Sequence, residues 1–347
     1  MTHLGSNQDS AEPKSVVLPI TPWVNESTKC AAKLEKKINC TRPKPHLPRL
    51  SFTIHCYYNN LSLKSLHWYI EFDNTTFFQV MLTVQQITSI TDLLENAGKE
   101  ILKIYYNNDL KTRIKEDDSP VTAADLASDT IIKAGLDEIT PGIRVFSEET
   151  KEIEWDIRSK WNPLWILDPL DGTKEFIARN NEFCISLALV SGGVPVAGFI
   201  HAPVTKESWI ALKGEGAYKL LEGKKVKLPF LTPSGPYRIN ISRTHHIKKE
   251  EDWIRKLRND HDAIISIYGS AIKFCRIAEG ISDIYPKFGL IHEWDIAAGQ
   301  IIIEEAGGIL IETATLKPPV FNKKDYYQAP FIAFGARVKN WQRWVSD

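Results

Sequence analysis

The chain has 347 residues, 43% of them hydrophobic and 25% charged, the balance of an ordinary globular protein long enough for one or two domains. A formal net charge of +0 gives no general attraction to nucleic acid or to an anionic membrane. The five cysteines (Cys30, Cys40, Cys56, Cys184, Cys275) form no C-x-x-C pair, which argues against a disulfide framework or a zinc site, and no apolar run reaches the ~18 residues of a membrane span.

In chain order, residues 1–80 come first and show no clear period. Their opening stretch, MTHLGSNQDSAEPK, lacks the basic-then-apolar order of a secretory signal. Proline- and lysine-rich TRPKPHLPRL follows, then an aromatic and asparagine mixture. The expectation is an N-terminal extension, disordered or poorly structured, with Met81 as a candidate start of the chain proper. From Met81 the pattern becomes regular. Val84, Ile87, Ile90, Leu94, Ala97, Ile101 and Ile104 fall at helical spacing. A charged turn at 115–120 precedes a second helix to about Ile139, capped by Thr122 or Asp125. VFSEE (145–149) reads as a short strand emptying into acidic residues, and 155–163 as a loop.

Residues 165–176, WILDPLDGTKEF, carry the strongest signal. The apolar run Trp165–Ile166–Leu167 reads as the end of a buried strand delivering Asp168 and Asp171 into a turn begun by Pro169. Two carboxylates at a strand end suit Mg²⁺, which takes oxygen ligands in tight octahedral geometry. Gly172 and Thr173 follow; if they open a helix, their N–H groups face an anion. One segment thus offers a cation seat beside a phosphate seat, the kit of metal-assisted phosphoryl chemistry.

Beyond it, FCISLALV (183–190) and VPVAGFIHAP (194–203) read as strands joined by the turn 191–193, and 208–220 continues the meander through two glycines. A second half starts near Arg238: strand RINISR, helix KKEEDWIRKL, strand AIISIYG, helix SAIKFCRIAEG, strand ISDIYPK, and the helix WDIAAGQIIIEEAGG with its C-cap at Gly307–Gly308. Strands and helices without strict alternation predict an α+β sandwich. Glu148, Asp168, Asp171 and Asp295 each follow an apolar run and precede a turn or helix start, the placement by which a sheet gathers distant side chains into one cleft. Taken singly, Glu148 also fits a solvated turn, and Asp295 a helix cap.

PVTAAD (120–125), SEE (147–149), DPLDGTKEF (168–176) and WDIAAG (294–299) resemble, in order and spacing, the motifs of the inositol monophosphatase superfamily. The resemblance covers 81–347. DGTKEFIARNNEF (171–183), ISRTH (241–245), GSAIKFCRIAEG (269–280) and YPKFG (285–289) are similar to its 3′(2′),5′-bisphosphate nucleotidase branch of CysQ type. The fold so implied is a layered α-β-α-β-α sandwich of the inositol monophosphatase / fructose-1,6-bisphosphatase type. Its phosphatase domain, 81–347, would divide into a metal-binding half (81–235) and a nucleotide-binding half (236–347).

The resemblance also implies roles. Glu148, Asp168 and the Leu170 carbonyl correspond to ligands of one Mg²⁺, and Asp168, Asp171 and Asp295 to ligands of a second; a third, held mostly by water and Glu148, is the further expectation. Asp125 and Thr173 correspond to the pair that orients the attacking water, and Gly172 and Thr173 to phosphate N–H donors. Arg243, His245, Ser270, Lys273 and Lys287 lie in stretches similar to the nucleotide-binding walls; solvated surface charge is the rival reading of the cations, and Ser270 could instead cap its helix.

The implied activity is lithium-sensitive, Mg²⁺-dependent removal of the 3′-phosphate of adenosine 3′,5′-bisphosphate, giving AMP and phosphate in sulfur metabolism. Inositol phosphate or sugar bisphosphate hydrolysis is the alternative, and a non-catalytic nucleotide- or Ca²⁺-binding protein a third. The implied partner is a small-molecule nucleotide, with no nucleic acid and no integral membrane segment. The implied location is the cytoplasm, with peripheral attachment to the inner membrane as a variant. Oligomeric state is not legible in the sequence.

Overall fold

The computed structural model describes residues 82–107, 113–114, 120–232, 234–243 and 247–345. The expectations for 1–80, for most of the turn at 115–120 and for His245 lie outside the described residues.

Helix α1 (Val84–Tyr106) starts on a capping box: the Gln86 N–H donates to Thr83 Oγ1 at 3.2 Å and the Thr83 N–H to Gln86 Oε1 at 2.9 Å. A two-residue pairing of β1 (Arg113–Ile114) with β2 (Pro120–Val121) leads into α2 (Ala123–Ile139). Both residues proposed for its cap take part, Thr122 as N-cap and Asp125 three residues on. Strand β3 (Arg144–Ser147) ends in a 3₁₀ turn, Glu148–Thr150. The stretch 155–163, read as a loop, opens with a helical turn, α3 (Trp155–Arg158), whose Arg158 is buried over the Phe146 ring and donates to Asn322 Oδ1 and the Lys323 carbonyl.

A seven-stranded sheet follows from the chain's middle. Strand β4 (Leu164–Asp171) is parallel to β3, and α4 (Thr173–Ile177) comes directly after it. The meander β5 (Cys184–Ser191), β6 (Val194–Ala202), β7 (Glu207–Leu212), β8 (Gly216–Leu221) and β9 (Lys224–Lys227) completes the order β3-β4-β5-β6-β7-β8-β9. Both faces of β5 are covered. Ile185, Leu187 and Leu189 point into a core shared with α1 and α2, while Cys184, Ala188 and Val190 point into a core shared with the helices on the other side. That explains why the strand reads as a continuous apolar run rather than as an alternating one.

The second sheet has five strands: β10 (Tyr237–Ile241), then after α5 (Lys248–Asp260) β11 (Ala263–Ile267), then after α6 (Ile272–Glu279) β12 (Ile284–Lys287). Helix α7 (Glu293–Glu305) precedes β13 (Ile309–Glu312) and β14 (Phe331–Phe334), giving the order β11-β10-β12-β14-β13 with parallel and antiparallel pairs. Helices α6 and α7 lie between the sheets. One continuous core joins Ile272, Phe274, Ile296, Ile301 and Ile302 to Phe146 and Trp209 on one side and to Tyr285, Leu310 and Phe331 on the other. Helix α5 packs Ile254 and Leu257 on the outer face of the second sheet. The layers therefore run α-β-α-β-α. Close approach of α7 to the first sheet depends on Gly198, where a Cβ would lie 2.5 Å from Ile301 Cγ2 and 2.9 Å from the Ala298 carbonyl. Helix α7 ends at Ala306, with the Gly307 N–H on the Glu304 carbonyl and the Gly308 N–H on the Ile303 carbonyl, both at 2.9 Å, a left-handed glycine cap.

Candidate active site

The pairing of β4 with β5 breaks register between Asp168 and Asp171. Pro169 sits in that break, where its missing N–H costs no ladder bond. The irregular turn is held by the Leu170 N–H on Asp168 Oδ1 (3.0 Å) and by the Ser128 hydroxyl on the Pro169 carbonyl (2.8 Å). Gly172 then takes φ +93°, the left-handed region, where a Cβ would stand 3.1 Å from the Glu182 carbonyl and 3.2 Å from Ser270 Cβ. Strand, bulge and glycine together aim Asp168 and Asp171 past the sheet end and put Thr173 at the first position of α4, a helix of five residues.

Asp295 reaches the same place from α7. It stands in the first helical turn and accepts the His292 N–H at 2.8 Å. One carboxylate oxygen from each of Asp168, Asp171 and Asp295 lies within 4.8 Å of the others. Glu148, at the end of β3 beside β4, stands outside that close set, yet after burial itself its charge does most to push up Asp168. Asp171, Asp295 and Asp125 push in the same direction, and the Asp168 carboxyl is held well above the usual carboxylate range. Burial, then Asp295, raises Asp171 to about 8 against the pull of Lys273 and the Ala271 N–H. Like charges gathered at one buried point repel unless a cation joins them. An all-oxygen, acidic donor set is the kind a hard divalent ion prefers, so these residues fit such an ion.

Asp125 is buried at the start of α2. Its Oδ2 accepts from the Thr122 N–H (2.8 Å) and hydroxyl (2.6 Å), and its Oδ1 accepts from the Thr173 hydroxyl at 3.2 Å. The Thr173 hydroxyl also lies 3.4 Å from the Leu170 carbonyl oxygen.

The opposite wall comes from the second half. The Ala271 N–H donates to Asp171 Oδ2, and the Cys184 thiol lies 3.8 Å from the same oxygen. Ser270 is left-handed (φ +48°) and its hydroxyl oxygen accepts from Cys184 Sγ and the Ile272 N–H, both at 3.4 Å; the N-cap of α6 is Ala271. Lys273 is buried, with its ammonium on the Ser270 carbonyl at 2.7 Å and 5.2 Å from the Tyr285 ring. Burial lowers its pKa, while Asp171 and Glu175 pull it back up. Lys287 is also buried and lowered by burial, with Glu250 and Asp295 opposing. Arg243 is exposed and turned to Glu182 Oε2 at 2.7 Å; the same oxygen accepts the Gly269 N–H at 2.9 Å.

The structure thus brings Asp168, Asp171 and Asp295 to one point, with Asp125, Leu170, Gly172, Thr173, Ser270 and Lys273 linked around them, Glu148 outside the close set, Lys287 buried in the field of Asp295, and Arg243 at the exposed margin. The sequence reading missed the Ala271 N–H, which is backbone and carries no residue signature. It also missed Glu182, although that residue lies inside the stretch 171–183.

The inositol monophosphatase family model matches residues 83–337. The chain is 40% identical over 222 residues to the 3′(2′),5′-bisphosphate nucleotidase CysQ of Salmonella typhimurium, covering 64% of this chain and 88% of that protein. It is 34% identical over 259 residues to CysQ of Aggregatibacter actinomycetemcomitans, covering 74% of this chain and 94% of the relative. Among solved structures, CysQ from Bacteroides thetaiotaomicron superposes with a TM-score of 0.66 at 36% identity, over 76% of this chain and all (100%) of that one.

Proposed function

The chain belongs to the inositol monophosphatase family, and we propose that it hydrolyses the 3′-phosphate of adenosine 3′,5′-bisphosphate to AMP and phosphate, as a 3′(2′),5′-bisphosphate nucleotidase. The observation that carries the chemistry is the approach of Asp168, Asp171 and Asp295 to within 4.8 Å at a buried strand end. The observation that favours this substrate is the similarity to the CysQ relatives over nearly their whole length.

Asp168, Asp171 and Asp295, with Glu148 and the Leu170 carbonyl, would hold two Mg²⁺ ions, and Glu148 with water a third. When bound, Mg²⁺ lowers the pKa of water and neutralises charge on a phosphate ester. The remaining work belongs to the protein. Thr173, tethered to Asp125 at 3.2 Å, orients the attacking water and passes its proton toward the carboxylate. The Gly172 and Thr173 N–H groups, beyond the left-handed turn, position the scissile phosphate. Lys273, Lys287, Arg243 and Ser270 form the wall that meets the second phosphate and the ribose, and His245 would join them by its place in the sequence.

Inositol phosphate hydrolysis is the reading this one displaces. Turnover of adenosine 3′,5′-bisphosphate, inositol 1-phosphate and fructose 1,6-bisphosphate, compared at saturating Mg²⁺, tests it. The nucleotide should be preferred in kcat/KM by at least about a hundredfold, ~3 kcal/mol of transition-state binding. Equal or better use of either sugar phosphate contradicts the assignment.

A further inference from the structure

Helix α2 turns one face toward several separate segments of the site. Asp125, Ser128, Asp129 and Lys133 fall at i, i+3, i+4 and i+8, a single stripe of the helix. Asp125 accepts the Thr173 hydroxyl, and Ser128 holds the Pro169 carbonyl. Asp129 and Lys133 reach the turn that carries Glu148. Strand β3 is paired to β4 through Ser147, opposite Leu167, and Glu148 comes next, first in the 3₁₀ turn Glu148–Thr150. Both ends of that turn are tied to α2. At its start, the buried Ser147 hydroxyl donates to Asp129 Oδ1 and accepts the Glu149 N–H at 3.2 Å. At its end, the Thr150 hydroxyl oxygen accepts from the Lys133 ammonium at 3.1 Å. Lys133 also donates to Asp129 Oδ2 at 2.7 Å, which fixes the carboxylate between the ties.

We infer that Asp129 and Lys133 are positioning residues, setting where the Glu148 carboxylate stands relative to Asp168. Capping the turn needs only the Ser147 hydroxyl; the pair on α2 adds an anchor at each end. Mg²⁺ tolerates little error in the octahedral placement of its oxygen ligands. A glutamate side chain is long, so the backbone that carries it must be held from outside, and hydrogen bonds to charged partners are the stronger kind. Because α2 also holds Thr173 and the bulge at Pro169, it gives the ends of β3 and β4 and the start of α4 one common reference. Asp129 and Lys133 cancel in charge, so the clamp adds no net charge beside the carboxylates. The inference rests on the reading of Glu148 as a Mg²⁺ ligand.

Calorimetric titration of the chelator-treated full chain with Mg²⁺ alone tests it, a cooperative thermal melt in chelator showing that each variant is folded. Glu148→Gln should weaken Mg²⁺ binding by about tenfold or more, and Asp129→Ala by about tenfold, the scale on which residues that orient a metal ligand act. Lys133→Met should weaken it by roughly three- to tenfold, and Lys133→Arg, which keeps the charge and the donors, should stay within ~3-fold of the parent. The Glu148→Gln background separates positioning from general loosening of the fold. There Asp129→Ala should cost under ~2-fold more, because the side chain it positions has lost its charge. Loosening would weaken binding alike in both backgrounds. The inference alone is overturned if Glu148→Gln lowers the affinity while Asp129→Ala and Lys133→Met do not, or if Asp129→Ala costs the same with and without the Glu148 carboxylate. Should Glu148→Gln bind Mg²⁺ like the parent, the ligand reading fails and takes the inference with it.

Discussion

The Thr173 hydroxyl lies 3.2 Å from Asp125 Oδ1, joining the first residue of α4 to the first turn of α2 across forty-eight positions. The other carboxylate oxygen is already occupied by two donors from Thr122, so Asp125 cannot rotate away. Thr173→Val removes the hydroxyl and keeps the shape. It should lower kcat by about 10²–10³ with KM for the nucleotide changed little, since general-base positioning acts mainly in the transition state. Thr173→Ser should retain most of the rate. Steady-state kinetics of the three proteins decides.

Asp171 makes metal-free stability depend on pH. Its folded pKa is about 8 against an ordinary value of 3.8, raised first by burial and then by Asp295. The folded state therefore binds the extra proton between these values. The associated stability is complete below about pH 4 and drains away as pH climbs through 8. Thermal melts in chelator should show Tm falling across that window, with Mg²⁺ restoring it most at the alkaline end. Asp171→Asn should melt higher than the parent in chelator at pH 8 while losing nearly all turnover.

His201 acts with the opposite sign. Burial lowers its pKa from 6.5 to about 4; Nδ1 sits 2.8 Å from Ser208 Oγ, and Nε2 packs against Gly98 of α1. The unfolded chain takes up the proton first, so stability is complete above about pH 6.5 and is lost as pH falls through 4. The loss amounts to about 3 kcal/mol at 1.4 kcal/mol per pKa unit. Urea unfolding at stepped pH should show this acid limb, and His201→Gln should flatten it.

Gly198 ties the sheet to α7, the helix that carries Asp295. A methyl group there would stand 2.5 Å from Ile301 Cγ2, so Gly198→Ala must push α7, and with it Asp295, away from Asp168 and Asp171. The expected cost is about 1–3 kcal/mol of stability, together with a higher Mg²⁺ concentration for half-maximal turnover. Denaturant melts and Mg²⁺ titrations read the two effects separately.

Removing the charge of Lys273 tests which substrate class the site takes. It is buried among the Ser270 carbonyl, the Tyr285 ring and the field of Asp171. Lys273→Met should raise KM for adenosine 3′,5′-bisphosphate by about tenfold or more while moving KM for inositol 1-phosphate by under ~3-fold, because only the first carries a phosphate remote from the carboxylates.

Much of this site was legible because its acidic residues end apolar runs. WILDPLDGTKEF and WDIAAG announce a strand end and a helix start, and a sheet brings such ends together. The apolar runs of β5 and β6 likewise announced two paired strands, and their coverage on both faces emerged only in the fold. Other elements left no such trace. Strand β9 is KKVK, fully exposed, and pairs only because β8 leads it back through a turn at Glu222–Gly223. Strands β13 and β14 are four residues each and lie on either side of the proline- and lysine-rich stretch 313–330. Arg243 reads as a substrate cation in sequence, but its partner Glu182 is 61 residues away and visible only once the chain is folded.

The most direct test of the carboxylate cluster is calorimetric titration of chelator-treated protein with Mg²⁺, with nucleotide turnover followed in the same samples. The parent should bind the ion, have no turnover without it and recover in step with binding, whereas Asp168→Asn should neither bind the ion nor turn over nucleotide. Undiminished turnover in excess chelator, or Asp168→Asn binding and hydrolysing like the parent, would contradict the account.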